Sequence, residues 1–183
     1  SFSQSEAVKL VEAELDAPIS ELFTDFGPPV AAASIAQVHK AKVRAQDGAL
    51  KDVAVKVLRP GIENRFKKDL DSYFFAARMI ERFHAPSRRL RPVAVVDTLA
   101  RSVAIEMDLR MEAAAIAEMG DNIAGDEGFR VPVVDWQRSA RRVLTLEWID
   151  GTPMGDLKAL EAKGHDLKAL GATLMQSFLR HAM

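Results

Sequence analysis

The chain has no cysteine, and among its 183 residues there are only one tyrosine and two tryptophans. Without cysteine, disulfides and thiolate metal sites are excluded. Four histidines, at 39, 84, 165 and 181, are too scattered to make a zinc motif. No apolar run approaches the roughly 20 residues that cross a bilayer as a helix, and the first residues lack the pattern of a signal peptide. A formal net charge of -1 offers no excess of cations for nucleic acid. What is present is 48% hydrophobic composition, enough to bury a core, most simply as one domain with a small appendage.

The near-neutral total hides a segregation of charge. Residues 1–29 hold six acids against one lysine, whereas residues 59–91 hold nine Lys/Arg against four Asp/Glu. A solvated helix face accounts for such a basic run; a surface turned toward anionic lipid or a partner protein is the alternative.

Hydrophobic spacing predicts a short helix over Ser5 to Leu15, with Val8, Val11 and Leu15 on one face, and an apolar patch from Ile19 to Phe26 that Gly27-Pro28-Pro29 breaks. Ala31 to Ser34 reads as a small-residue turn. It feeds a strand from Ile35 to Val43, a turn at Gln46-Asp47-Gly48 and an antiparallel strand from Val53 to Leu58. A helix is expected over Ile62 to Phe83, a linker bracketed by Pro86 and Pro92, and one continuous helix from an N-cap at Asp97 to about Met119. Val131 to Asp135 and Arg142 to Ile149 read as two further strands. Asp166 to Ala182 reads as a last helix that buries Leu167, Leu170, Leu174 and Phe178.

Candidate chemistry begins at Lys56. In Val53-Ala54-Val55-Lys56-Val57 the valines take one face of the strand, and Ala54, Lys56 and Leu58 take the other. An ammonium among aliphatic side chains either meets an anion or snorkels into water from an edge strand. Glu106, Asp108 and Glu112 supply carboxylates on the following helix. Asp108 and Glu112 are one turn apart and able to address one cleft, and Glu106 projects elsewhere. Three acids so close repel unless cations answer them; Arg110 and Arg101 are the nearest, and an ordinary charged helix face is the alternative. The Ala31 to Ser34 turn is able to present backbone N–H groups to a phosphate, more stiffly than glycines would. His39 reads as a structural hydrogen-bonding residue. Leu144 to Gly151 is an apolar strand ending in an acidic turn, where backbone groups near Glu147 to Ile149 suit an adenine edge or simply leave the core.

The order of these motifs resembles the ABC1/ADCK/UbiB family of atypical kinase-like proteins. Ala31-Ala32-Ala33-Ser34-Ile35-Ala36-Gln37-Val38-His39 is similar to its alanine-rich loop. Val53-Ala54-Val55-Lys56-Val57-Leu58-Arg59-Pro60-Gly61 is similar to its nucleotide-binding lysine strand. Glu106-Met107-Asp108 with Glu112-Ala113-Ala114 resembles its E-x-D and downstream glutamate, and Leu146-Glu147-Trp148-Ile149-Asp150-Gly151 its interlobe hinge.

The resemblance implies an α+β fold. Residues 1–150 would form a kinase-like N-terminal lobe, with an inserted helix at about 62–83 and a regulatory helix at about 97–119, and residues 151–183 would begin a helical C-terminal lobe. It implies that Lys56 pairs with Glu112 and contacts the phosphates of ATP or ADP. Ala31, Ala32, Ala33, Ser34, Ile35, Glu147, Trp148 and Ile149 would complete the nucleotide contacts, Glu106 and Asp108 would be regulatory, and no metal ligand falls in this stretch.

Neither the family's Lys-x-Gly-Gln segment nor its H-x-D…N and D-F-G motifs occur here. The reading is therefore of a fragment or truncated product with little or no turnover alone, Mg2+ being expected only in a complete protein. That protein would be an atypical kinase or ATPase supporting ubiquinone biosynthesis, cytoplasmic and peripheral to or anchored at the bacterial inner membrane. Its partners would be nucleotide, ubiquinone-biosynthesis proteins and anionic or prenyl lipids, without nucleic acid. A non-catalytic scaffold that binds a membrane or protein complex is the alternative; a general protein kinase fits less well because alanines replace mobile glycines in the loop.

Overall fold

The computed structural model describes residues 2–126 and 128–182. Ser1 and Glu127 of the expected N-terminal lobe, and Met183 of the expected C-terminal part, lie outside the described residues. The fold is mixed α+β. Four strands, β1 (Asp25–Ala32), β2 (Ala36–Arg44), β3 (Leu50–Leu58) and β4 (Val143–Glu147), form one antiparallel sheet in chain order. The 84 residues between β3 and β4 are largely helical: α3 (Ile62–Phe83), α4 (Pro92–Glu106) and α5 (Leu109–Asn122). Before the sheet come α1 (Gln4–Leu15) and α2 (Ile19–Leu22); after it come α6 (Leu157–Ala162) and α7 (Leu167–Ala182).

Strand alternation sorts the core into two layers. Ala41, Val43, Val53, Val55, Val57 and Val143 pack against Ala7, Leu10 and Val11 of α1 and against Phe23. On the opposite face Leu58 and Leu144 pack with Ala36, Leu109, Ala113 and Val134, which seats α5 on the sheet. Helix α1 starts at a capping box, Ser3 Oγ accepting from Glu6 N–H and Glu6 Oε2 accepting from Ser3 N–H. Arg142 donates its backbone N–H and its guanidinium to Glu14, which fixes α1 against β4.

Several sequence expectations need correction. Gly27-Pro28-Pro29 does not end the segment: it lies within β1, and Ala31 and Ala32 belong to that strand, leaving Ala33 to Ile35 as the turn. Proline is admitted because β1 is an edge strand whose pairing with β2 is interrupted by two register shifts around Pro29. Gly27 is needed for close approach, since a Cβ there would lie 2.9 Å from the Lys40 carbonyl oxygen. The expected helix from Asp97 to Met119 is two helices. Pro92 occupies the first turn of α4, where its missing N–H is harmless, and Asp97 sits inside that helix, paired with Arg101. Val131 to Asp135 is not a strand but a single bridge, Val134 to Leu146. Pro132 lacks a ladder donor, and Asp135 caps the 3-10 turn Trp136–Arg138. In α7, Leu174 and Phe178 are exposed and Ser177 is buried. The packed side follows Thr173, Ser177 and Arg180, with Thr173 beside Gly128 and Arg180 paired with Asp126.

Gln37 and His39 are fully buried on the α1 side of β2. Gln37 Nε2 donates to Phe2 O at 3.1 Å. His39 Nδ1 donates to Gly27 O at 3.0 Å, and the ring stacks on Phe26 with centroids 4.8 Å apart. The structural role expected of His39 is the one the fold gives it. A proton on its Nε2, which has no partner among the described residues, would place a charge in this core, and burial lowers its pKa below the usual 6.5. The unfolded chain then binds more protons than the folded one below about pH 6.5, so stability rises with pH through this window. The contribution is complete above the unfolded value and is lost as pH falls through it toward the depressed folded value. Urea unfolding of wild type and His39→Gln across pH 7.5 to 5 tests this. Wild type is expected to lose stability more steeply on acidification; parallel curves would assign the slope to other groups.

Candidate functional site

The face of the sheet opposite α1 carries the candidate site. In β3, Ala54, Lys56 and Leu58 share this face, and Lys56 lies between Val38 of β2 and Leu144 of β4 in register. Lys56 Nζ donates to both carboxylate oxygens of Glu112, at 2.9 and 2.6 Å. Both side chains retain access to solvent, at 29% and 40% exposure, so the pair opens onto a surface where an anion can approach.

Glu112 reaches Lys56 because of how α5 is seated. Asp108 caps the helix by accepting from Arg110 N–H, and Leu109 N–H donates to Arg141 O at 2.8 Å. Leu109 and Ala113, one turn apart, are buried against Leu58 and Leu144. That anchored stripe turns the intervening Glu112 toward β3.

The three acids expected to stand on one helix are thereby separated. Glu106 ends α4 and is exposed; Asp108 is the cap between the helices; Glu112 alone meets Lys56. Arg110 binds both oxygens of Asp108, at 2.8 and 2.6 Å, and holds its carboxyl below the usual carboxylate range. Arg101, the other expected counterion, is paired with Asp97.

The turn Ala33 to Ile35 lies at the other end of the same face. Ala33 N–H closes it onto Ala36 O at 2.8 Å. Arg59, just past Lys56 on the chain, ties it from below: its backbone N–H donates to Ile35 O at 2.7 Å and its Nε to Ser34 O at 3.2 Å. Two carbonyls are thus occupied, while the N–H groups of Ser34 and Ile35 have no partner among the described residues. No residue of the turn has positive φ, so alanine is accommodated without strain.

At the β4 exit, the Glu147 side chain is committed to Arg130, at 3.0 and 2.8 Å, and accepts from Val133 N–H; Arg130 first, then that amide, lowers its pKa. Its backbone N–H donates to Val133 O at 2.8 Å, so only the Glu147 carbonyl remains to read a ligand. Trp148 N–H donates to Asp52 O, and its ring receives Lys40 Nζ at 4.7 Å from the centroid. Lys40 and Lys42 both grip Asp52, at 2.8 and 2.9 Å, and lower its pKa. Ile149 is exposed.

Lys56, Glu112, the turn and the β4 exit therefore border one sheet face, and Ala31, opposite Val38 in register, stands on it; Ala32, opposite Gln37, takes the other face, and Glu106 and the Asp108 carboxylate lie apart. Sequence reasoning gave no site role to Val38, to Ala54, which it placed on the face of Lys56, or to Arg59. Strand alternation was the available signal for the first two, and for Arg59 there was none. Among the described residues no group of three or more His, Asp or Glu is placed to hold a metal ion, and no helix is long and apolar enough to cross a membrane.

Comparison with known proteins places the chain in a family. Residues 1–183 match the ABC1 atypical kinase-like domain. The chain is 36% identical over 178 residues to the Marinobacter nauticus protein named "Probable protein kinase UbiB", and 36% identical over 178 residues to its namesake in Pseudomonas putida. With the Xanthomonas euvesicatoria protein of that name it shares 38% identity over 179 residues. Each alignment covers 97% of this chain but 32% of the relative, so the chain spans about a third of their length. Matched by that family model over its whole length, this chain belongs to the ABC1 atypical kinase-like family.

Proposed function

We propose that this chain is the nucleotide-gripping part of an ATP-using atypical kinase or ATPase that supports prenyl-quinone biosynthesis. Residues 1–150 act as the N-terminal lobe, with α3 and α4 inserted between the lysine strand and α5, and residues 151–183 begin the C-terminal lobe. The observation that carries the reading is the Lys56–Glu112 pair, formed on the same sheet face as a turn with two free amides. Glu112 fixes the direction of the ammonium while leaving donor capacity for a phosphate oxygen. Amides of Ser34 and Ile35 add fixed dipoles for an anion.

The donor set fits a nucleoside di- or triphosphate. Val38 and Ala54 give the face an apolar, low-relief floor on which a base can lie, and the backbone of Glu147 to Ile149 borders it. Glu147 N–H goes to Val133 O and Trp148 N–H to Asp52 O. The Glu147 carbonyl and Ile149 N–H are the groups left for an adenine edge. Bound nucleotide would supply the phosphoryl group; the residues here hold its phosphates and orient it. Asp108, locked by Arg110, together with the exposed Glu106, serves as a regulatory contact for another segment rather than as a phosphate ligand. The link to quinone biosynthesis rests on the likeness to the named relatives.

Calorimetric titration of ADP and ATP into wild type and Ala54→Leu tests the site. Ala54 is half-buried on the open face of β3, so leucine there adds volume to the floor rather than to the core. Affinity is expected to fall at least about 10-fold, as overpacking by a few atoms commonly costs. Equal affinity in the two proteins would place the base elsewhere.

A further inference from the structure

Arg59 stands where β3 runs out. Pro60 has no N–H for the ladder, and Gly61, at φ 73°, turns the chain into α3. Arg59 therefore makes the last cross-strand bond, its N–H donating to Ile35 O one step beyond the Leu58–Ala36 pair. Its side chain lies back across the turn, where Nε donates to Ser34 O at 3.2 Å.

The charge on this side chain is left unanswered. The acids nearest it in the chain are committed, Asp52 to Lys40 and Lys42, and Glu63 to Arg141. Glu112, seated over the sheet, belongs to Lys56. Nη1 and Nη2 of Arg59 have no partner among the described residues. Planarity decides what the Nε bond does to the turn. The Ser34 carbonyl and the Ile35 N–H belong to one trans peptide, so they point in opposite directions. Holding the oxygen on Arg59 aims the free N–H away from it. The same cation polarises that peptide, which strengthens the donor at its other end.

We infer that Arg59 is a positioning residue for nucleotide phosphates, acting through the Ser34–Ile35 peptide. It fixes the Ile35 amide toward the phosphate chain and sets its own charge behind that amide, while Lys56 meets the phosphates directly. This role rests on the nucleotide-binding reading above. Its benefit is confined to the phosphate end of the ligand and is absent for the base.

Heteronuclear NMR of the isotope-labelled 183-residue chain tests it, with ADP and phosphate-free adenosine as ligands. In wild type, ADP is expected to shift the Ile35 amide and Arg59 Nε–H signals, and adenosine to leave both in place. Arg59→Met should weaken ADP about 10-fold, the effect of one charge-assisted hydrogen bond, with adenosine affinity unchanged. Lys158→Met, which removes an exposed cation outside the site, should bind ADP as wild type does. Three results would overturn the inference: equal ADP affinity in Arg59→Met, equal losses of ADP and adenosine, or an Ile35 signal that ADP moves no more than adenosine does. The wild-type signals decide the question even where the methionine variant loses its fold. Absence of ADP binding by wild type, or an unaffected Lys56→Met, would remove the nucleotide reading and this role with it. A loss in Lys56→Met without one in Arg59→Met would remove only this role.

Discussion

Lys56→Met is expected to weaken ADP and ATP binding by about 10- to 150-fold while leaving the fold almost as stable as before. The affinity figure follows from removing a charge-assisted hydrogen bond to phosphate, which contributes about 1.5–3 kcal/mol. The small effect on stability follows from exposure. Both partners are more than a quarter open to water, so an unpaired Glu112 rehydrates rather than remaining a buried charge, and the change should stay within about 1 kcal/mol. Calorimetric titration and urea unfolding of the same protein separate the two quantities. Unchanged affinity would remove Lys56 from the site. A loss of several kcal/mol in stability would mean that the pair is chiefly a structural contact and that weak binding reflects unfolding.

The second large effect is expected in the layer beneath. Leu144 is fully buried and packs with Leu58, Leu109, Ala113 and Val134, and its backbone lies opposite Lys56 in the ladder. Leu144→Ala removes the side chain against which α5 is seated. It should cost about 3–5 kcal/mol, the range for a buried leucine whose cavity does not collapse. That is a large share of the roughly 5–15 kcal/mol that holds a domain together. Leu144→Met, which keeps volume, should cost less than about 1.5 kcal/mol. A loss below about 1 kcal/mol for the alanine variant in urea unfolding would show that α5 is not held by this contact. The consequence then reaches function, because the direction of Glu112 depends on Leu109 and Ala113 staying buried.

Where local chemistry was unambiguous, the residues announced their structure. Ile62 to Phe83 has helical spacing, a preceding Arg-Pro-Gly and a following proline-bracketed linker, and α3 occupies that span. The alternation around Lys56 and the turn at Gln46 to Gly48 foretold β2 to within one residue at each end and the end of β3 at Leu58, although β3 starts three residues earlier than expected, at Leu50. The break at Asp108 was harder to see. Val103 to Met119 contains no proline, and its first glycine comes only at Gly120, after the segment, so its pattern is compatible with a continuous helix; the interruption is visible only when Leu109 N–H is found on Arg141 O, thirty-two residues away. Helix α7 failed for a related reason. Its leucines have the right period for burial, but Ser177 is the buried side chain, with Thr173 beside Gly128 and Arg180 paired with Asp126.

Short-range rules thus assigned the lysine to a strand face, Ala33 and Ser34 to a tight turn and Glu106 and Glu112 to helices, because strand period, turn residues and helical spacing depend on neighbours a few positions apart. Which glutamate meets the lysine was settled by contacts between distant segments. Burying Leu109 and Ala113 against Leu58 and Leu144 swings Glu112 over β3, while Arg110 and the cap retain Asp108 and the end of α4 leaves Glu106 in water. Packing of an apolar stripe selects the partner because a helix has one rotational setting that excludes water from both leucines, and that setting is not encoded in any local spacing.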